Sequence, residues 1–216
     1  MDFAVIIPAQ ETNKYHILGD LAPFGDTTLL EWKISQCKEL TNISNIFVTS
    51  DSMKIKKIAQ KEDVNFIQRI NTNTYTEIIL HSINNISQDT ILWTNPTSPF
   101  IGKEDYKSML EQFHNLHDND SLLSVSEKKD YAYFKNSRLN FEKQLSSRSD
   151  LAPLYIVTNG CYIIKKDIAL QAKSLYGEKP YLYNLDYLSS IEIKDISTYL
   201  ISQELISMYF KRDLDV

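Results

Sequence analysis

The feature that most restricts the fold of this 216-residue chain is a regular alternation of short apolar runs with segments of helical period. Short apolar runs bounded by turn residues are typical of buried strands, whereas apolar residues three or four positions apart are typical of amphipathic helices. The predicted strands are residues 5–7, 45–49, 64–67, 90–93, 121–126, 160–164 and 191–193. The predicted helices are residues 27–40, 52–59, 76–86, 103–116, 167–174 and 196–210, with Asp26 as N-cap of the first and Ser50 or Asp51 of the second. This alternation predicts an α/β fold with a mostly parallel sheet.

Two polar loops follow predicted strands of this sheet. The first begins at Pro8 and continues through Lys14, and the second is Asn95–Pro99, in which two prolines bracket Thr97 and Ser98. Proline cannot donate a ladder hydrogen bond, so each loop marks the end of its strand. Right-handed crossovers place the carboxyl ends of parallel strands at one edge, where α/β proteins bind ligands. On these residues alone, an ordinary surface loop explains the first segment equally well.

Composition excludes several classes of function. A net charge of -5 gives no basic field for a nucleic-acid backbone, so long DNA or RNA is not an expected partner. The two cysteines, Cys37 and Cys161, form neither a disulfide framework nor a metal-ligand pair. The first residues carry no signal-peptide pattern and no run approaches a membrane span, which predicts a cytoplasmic protein without a membrane partner.

Residues 127–154 interrupt the alternation. This stretch is polar and aromatic and has no helical period. We interpret it as an arm or hairpin inserted within a single domain of residues 1–216. Apolar side chains on such an arm are commonly buried by a second subunit, so a homodimer is expected.

Motifs in a fixed order now carry a family resemblance over nearly the whole chain. They are Ile7 to Lys14, Thr49-Ser50-Asp51, Arg69, Pro96-Thr97-Ser98-Pro99, Arg148, Asn159-Gly160 and Tyr162. This set resembles the acylneuraminate cytidylyltransferases, the CMP-sialic-acid-synthetase-like family of the nucleotide-diphospho-sugar transferase superfamily. The resemblance implies a three-layer Rossmann-like fold with a mostly parallel mixed sheet and a dimerisation arm.

The resemblance also implies a reaction and its residues. The activity would be transfer of CMP from CTP to an acidic sugar of the sialic-acid type, with release of pyrophosphate. Lys14 and Gln10 would be catalytic, Arg148, Asn159 and Tyr162 would bind the sugar, and Glu192 and Asp195 would bind Mg²⁺. The nucleotide would be bound by Pro8, Ala9, Gln10, Asn13, Lys14, Arg69, Asn95, Thr97 and Ser98. For either arginine taken alone, a surface salt bridge is the ordinary interpretation.

Several positions depart from the family pattern and keep two other functions open. Gln10 stands where the family has arginine, Glu11 and Thr12 replace small residues, and Lys194 occupies the place of a second carboxylate. Loss of a cation that contacts the transition state commonly costs about a hundredfold in rate. One alternative is therefore a catalytically degenerate homologue that binds a nucleotide or a partner. Another is a cytidylyltransferase for a different activated alcohol, such as a phosphonate or a polyol phosphate.

Overall fold

The structure is a computed structural model that describes residues 2–144 and 147–212. Its strands, in chain order, are β1 (Ala4–Pro8), β2 (Pro23–Phe24), β3 (Thr27–Thr28), β4 (Ile46–Ser50), β5 (Asn65–Gln68), β6 (Thr90–Trp93), β7 (Ser121–Lys128), β8 (Tyr133–Phe134), β9 (Ser137–Arg138), β10 (Leu154–Lys165) and β11 (Pro180–Asn184). Its helices are α1 (Leu29–Lys38), α2 (Met53–Lys61), α3 (Tyr75–Asn84), α4 (Lys103–His114), α5 (Lys166–Ala172) and α6 (Ile196–Arg212). The predicted alternation of strands and helices is confirmed, and β6 agrees with its prediction residue for residue.

Seven of these strands form one sheet in the order β11-β7-β10-β6-β1-β4-β5. Strand β1 is parallel to β4 and β6, β4 is parallel to β5, and β7 is parallel to β11. Strand β10 runs antiparallel to both of its neighbours, β6 and β7. The predicted α/β class with a mostly parallel mixed sheet is therefore confirmed. Because β1, β4 and β6 run in one direction, the loops that follow them open at the same edge.

Helices cover both faces of the sheet, and the alternation of side chains along β1 shows how. Val5 and Ile7 pack in an apolar cluster with residues of α1, α2 and α4. Ala4 and Ile6 face the opposite side, in a cluster with residues of α3 and α5. All four side chains are fully buried. The two clusters give the molecule its three layers.

The predicted caps of the first two helices are wrong. Thr28 caps α1 in a capping box with Glu31, and Ser52 caps α2 by accepting from the backbone of Lys54. Asp26 does not cap α1 because a short hairpin of β2 and β3 intervenes before the helix starts. Ser50 is still paired within the sheet, so the cap lies two residues after it, at Ser52, and the helix begins at Met53.

The predicted strand at residues 191–193 is also wrong. The edge of the sheet is formed instead by β11, which pairs with β7. Ile193 is buried, but it packs against residues of the first loop and α6 rather than in the sheet. The apolar pattern at residues 191–193 therefore predicted the burial of Ile193 correctly but predicted a strand where the structure has none.

Residues 127–154 contain extended chain and one small hairpin. Strand β7 continues to Lys128, β8 and β9 pair with each other, and β10 begins at Leu154. The turn residues Lys135 and Asn136 both have positive φ, as a two-residue type I′ hairpin turn requires. Residues 145 and 146 of the predicted arm lie outside the described residues, as do residues 1 and 213–216.

The described residues were also compared with the requirements of a membrane span. No helix formed by residues 2–144 and 147–212 has the length and apolar character needed to cross a bilayer.

Candidate active site

The first loop folds back on itself around a buried carboxylate. The backbone N–H of Gln10 donates to Asp20 Oδ2 over 2.7 Å, and the backbone N–H of Asp20 donates to the backbone carbonyl of Gln10 over 2.9 Å. Gly19, at φ +51°, lies so close that an added Cβ would stand 2.5 Å from the Gln10 carbonyl oxygen. The positive φ and this close approach together require glycine there. The loop is thus a closed unit rather than an open chain of free amides.

Asp20 is 3% exposed and forms part of the cleft wall. The Tyr15 hydroxyl donates to Asp20 Oδ1 over 2.6 Å. Burial raises the pKa of the Asp20 carboxyl to about 6, while the hydrogen bonds from Tyr15 and Gln10 and the charge of Arg69 act to lower it. Near neutral pH this side chain therefore remains mostly ionised inside the first loop.

Glu11 is turned away from that carboxylate and has its own partners. It forms an ion pair with Lys54 and accepts from the Ser52 hydroxyl over 2.6 Å. These contacts, with Lys54 first, hold the pKa of the Glu11 carboxyl below its ordinary value. The negative charge that the sequence places in the loop is thus offset by α2 and its cap.

The second loop is fixed by α1 and by the segment before α6. Trp32 Nε1 and Gln36 Nε2 both donate to the Pro99 carbonyl, over 2.7 and 2.8 Å. The Thr97 carbonyl accepts from the Ile193 amide over 2.8 Å. The residue range 192–194 is thereby held next to the second loop, although it forms no strand.

A bulge in β10 brings Asn159 to the same edge. The pairing of β10 with β7 is interrupted between Val157 and Tyr162. A bulge of this kind re-aims side chains, and here Asn95 Nδ2 donates to the Asn159 carbonyl over 2.7 Å. The Tyr162 hydroxyl donates to Asn159 Oδ1 over 2.7 Å, which fixes the orientation of the amide. Tyr162 thus acts on the cleft through Asn159.

Asn159 in turn orients a pair of charges. Its Nδ2 donates to Glu192 Oε1 over 2.6 Å, and Lys194 Nζ lies 3.0 Å from Glu192 Oε2. The Glu192 side chain is 8% exposed, whereas that of Lys194 is 59% exposed. The ammonium group of Lys194 therefore lies at the mouth of the cleft, and its ion pair with the buried Glu192 fixes its position.

These segments enclose a cavity of about 580 Å³ at the carboxyl ends of the parallel strands. A second cavity of about 600 Å³ adjoins it, and Gln10, Arg69 and Ile78 line both. Arg69 is 7% exposed, and its Nη2 donates to the Ala9 carbonyl over 2.7 Å and lies 3.3 Å from Asp51 Oδ1. Arg69 thus supports the first loop and also faces the space between the two cavities.

Most of the predicted site residues meet in this cleft. Those that line the first cavity are Pro8, Gln10, Asn13, Arg69, Asn95, Thr97, Asn159 and Glu192. Ala9 and Ser98 are buried behind the wall, and Lys14 is exposed on the first loop but does not line the cavity. Arg148 does not join them: its side chain is 70% exposed and pairs with Asp130 over 2.9 Å.

The family model for cytidylyltransferases matches residues 4–189. The chain belongs to the cytidylyltransferase family. This membership supports nucleotidyl transfer from CTP and agrees with the predicted class of protein at that level. No curated protein sequence matches the chain.

Solved structures agree with the assignment of the fold. The chain is similar to CMP:2-keto-3-deoxy-manno-octonic acid synthetase complexed with CTP, with a TM-score of 0.74 and 12% identity over 97% of this chain and 100% of the other. It is similar to 4-diphosphocytidyl-2C-methyl-D-erythritol synthase from Anaerococcus prevotii, with a TM-score of 0.71 and 15% identity over 95% and 98%. A cytidylyltransferase from Leptospira borgpetersenii gives 0.67 and 16% over 96% and 87%. At these identities the similarity establishes the fold.

The two predicted metal ligands of this cytidylyltransferase-family chain differ in their fit to Mg²⁺. Asp195 Oδ1 accepts from the Thr198 amide over 2.8 Å at the start of α6, and Asp195 does not line the cavity. Glu192 lies in the wall, and each of its oxygens keeps a lone pair beyond its present hydrogen bond. Among residues 2–144 and 147–212, no three His, Cys, Asp or Glu side chains are grouped to hold a metal. Glu192 alone therefore fits as a ligand, and Asp195 does not.

Several cleft residues were missed by reasoning from the sequence, among them Tyr15, Asp20 and Lys194. Tyr15 and Asp20 join the site through contacts within the first loop, and no local pattern distinguishes them from ordinary loop residues. Lys194 was noticed only as a departure from the family pattern. A lysine two residues from an acidic side chain on extended chain faces the same side, which was the available signal.

Proposed function

We propose that this chain transfers CMP from CTP to an acidic sugar and releases pyrophosphate. The observation that carries the proposal is the convergence of both polar loops and Asn159 on one cleft at the carboxyl edge of β1, β4 and β6. An acceptor hydroxyl oxygen attacks the α-phosphorus, its proton is lost to solvent, and the bond to the bridging oxygen of pyrophosphate breaks. Such a reaction depends mainly on positioning and on offsetting phosphate charge.

We assign the two substrates to different parts of the two adjoining cavities. We assign the nucleotide to the space around the first loop and Arg69, where Gln10 and Asn13 offer amide donors. Lys194 and Arg69 are cations that line the first cavity, and Lys14 stands on the exposed part of the loop. Thr97 and Ser98 belong to the second loop, whose backbone closes the cleft opposite the first. Ala9 and Ser98 act through their backbone positions because their side chains are buried.

Magnesium is a further part of the proposal. At nucleotide sites Mg²⁺ is usually held by one or two carboxylates together with substrate phosphates. Glu192 is the carboxylate that would hold it here, and the ion would offset charge on the triphosphate.

The position of Arg148 favours a second candidate, a different activated alcohol such as a polyol phosphate. A guanidinium that binds an acidic sugar has to reach the cleft, whereas Arg148 pairs with Asp130 on the exposed arm. Lys194, which lines the cleft, suits a phosphate as a point charge. One structural neighbour is named as an octonic acid synthetase and another as a diphosphocytidyl-methyl-erythritol synthase, so proteins named for an acidic sugar and for a polyol derivative share this fold.

Substitutions at these two cations distinguish the acceptors. If the acceptor is an acidic sugar held by Arg148, Arg148→Ala raises its KM about tenfold or more and Lys194→Ala raises it less. If the acceptor is a polyol phosphate held by Lys194, the order reverses. The measurement is pyrophosphate release with a panel of both acceptor classes, and Lys57→Ala on the exposed side of α2 is the matched control.

The alternative of a catalytically degenerate homologue rests on the closed first loop, in which Asp20 already accepts the hydrogen bond of the Gln10 backbone N–H. Isothermal titration of the chain with CTP, with and without Mg²⁺ and against ATP, GTP and UTP, tests the proposal as a whole. We expect selective CTP binding in the micromolar range, about -8 kcal/mol. Absence of nucleotide binding would overturn the proposed function. Selective binding without pyrophosphate release, followed by release in Gln10→Arg, would identify a damaged enzyme instead.

A further inference from the structure

We propose that Lys33, a buried lysine of α1, is a positioning residue that sets the distance between the two walls of the cleft. The inference rests on the proposed function, since its effect is on nucleotide binding. Lys33 does not touch the cavity and was not among the predicted site residues. It is fully buried, in a layer otherwise filled by apolar side chains.

The ammonium group of Lys33 has two neutral acceptors. Its Nζ donates to the Ser98 carbonyl over 2.8 Å and to the Tyr106 hydroxyl over 2.8 Å. It also lies 5.2 Å from the centre of the Tyr106 ring. Among the ion pairs of the described residues, none involves Lys33. A buried ammonium without a carboxylate is costly, so its retention points to a role beyond filling volume.

The hydrogen bonds continue from Tyr106 to the other wall. Thr94 donates its only hydroxyl hydrogen to the Gly160 carbonyl over 2.7 Å, so the Tyr106 hydroxyl, which accepts from Lys33, donates to Thr94 Oγ1 over 2.6 Å. Lys33, Tyr106, Thr94 and Ser98 are each no more than 1% exposed. This series of hydrogen bonds therefore runs in one direction and is shielded from competing water, and hydrogen bonds are strongest in such surroundings.

The residues joined by this series of hydrogen bonds lie next to cleft residues in the sequence. Thr94 and Ser98 stand immediately before and after residues 95–97, all three of which line the cavity. Gly160 follows Asn159, which lines the opposite wall. One buried lysine thus connects the second loop to the β10 bulge through backbone carbonyls on both sides.

A set of variants tests this role. We expect Lys33→Met, which keeps the volume and removes the donor, to weaken CTP binding tenfold or more by titration calorimetry. Thr94→Val removes the hydroxyl that links Tyr106 to Gly160 and should also weaken CTP binding. If the two act through one network, the double variant loses no more than the larger single loss, because coupled residues are not additive.

Two controls separate positioning from general destabilisation. Lys38→Met removes a partly exposed lysine of the same helix, which pairs with Glu62 and lines neither cavity, and it should leave CTP affinity unchanged. Ile83→Ala destabilises the opposite layer, so it shows how far loss of stability alone affects affinity. Each variant is therefore measured for its CTP Kd and for its unfolding midpoint in urea.

The outcomes are separable. Wild-type binding of CTP together with an unchanged Kd in Lys33→Met overturns the inference and leaves the proposed function standing. Additive losses in the double variant, or losses equal to that of Ile83→Ala at matched stability, also overturn it. If Lys33→Met fails to fold, Thr94→Val and Tyr106→Phe carry the same comparison. Absence of CTP binding in the wild type overturns the proposed function and the inference with it.

Discussion

At the scale of single residues, the first loop is governed by the contact between Gln10 and Asp20. The backbone amide that a phosphate would use is held by a carboxylate of the protein itself. Gln10 carries no charge that could offset a phosphate, and Asp20 adds a negative charge behind it. Under the proposed function, the loop keeps its shape while this charge opposes the triphosphate.

Neutralising that carboxylate should restore affinity. We predict that Asp20→Asn strengthens CTP binding severalfold, because the amide oxygen still accepts one hydrogen bond while the charge facing the triphosphate is lost. Titration calorimetry at pH 7.5 measures the change. Asp26→Asn, an exposed acid of the neighbouring hairpin, is the control. Weaker binding by Asp20→Asn would show that the carboxylate supports the nucleotide site rather than opposing it.

Lys33 makes a second prediction at this scale, on the pH dependence of folding. Burial lowers the pKa of its ammonium to about 8, against 10.5 for an unhindered lysine. Between these values the unfolded chain binds more protons than the native one, so the free energy of unfolding rises with pH. From pH 7 to 9 the wild type should gain about 1 kcal/mol relative to Lys33→Met.

Urea unfolding of both proteins at pH 7, 8 and 9 measures this gain. Burial also raises the pKa of Cys37 to about 12, so that thiol lowers stability with pH in both proteins above about pH 9. Taking the difference between wild type and variant removes this shared contribution. A difference that stays constant over the range would show that the pKa of Lys33 in the folded protein lies outside it.

At the scale of elements, the sequence predicted the strands whose apolar runs lie in the core and the edge at which they end. It did not predict the first half of β10, because residues 154–157 pair with β7 while remaining partly or largely exposed. It also assigned a strand to residues 191–193, because Ile191 and Ile193 alternate as strand residues do. The approach of that segment to Thr97 depends on contacts about a hundred residues apart, which local patterns do not contain.

The first loop is the element most sensitive to one substitution. Gly19→Ala places a Cβ against the backbone of Gln10 and Thr12 at a φ of +51°. We expect a loss of about 1–3 kcal/mol in the free energy of unfolding, measured in urea, together with weaker CTP binding. Gly102→Ala is the matched control, since its nearest contact would be 3.9 Å away. Equal losses in the two variants would contradict the constraint assigned to Gly19.

At the scale of the whole molecule, exposed apolar side chains support the proposed homodimer. The arm and the first half of β10 carry several of the exposed apolar side chains, among them Tyr133, Phe134, Tyr155 and Ile156, which are 44–63% exposed. Surface patches of this kind usually mark contact with another chain. The homodimer remains a proposal that solution measurement has to decide.

A single charge in that patch should separate the subunits. We predict that sedimentation equilibrium gives twice the chain mass for the wild type and the monomer mass for Ile156→Glu. Leu200→Glu, on the exposed side of α6, is the control for an added charge on an equally exposed apolar residue. A wild type that sediments as a monomer at all concentrations would remove the dimer from the proposal.

The packing of the first loop against α6 has a consequence for how the protein is made. Tyr15 is buried beside Tyr199, with ring centres 6.2 Å apart, although the two residues are 184 positions apart in the chain. During synthesis the loop emerges from the ribosome early, and its partner emerges only after the whole sheet. The packing of Tyr15 against Tyr199 therefore cannot form before α6 has been synthesised, so the first loop, which lines the candidate cleft, completes its packing after all seven strands of the sheet have been made.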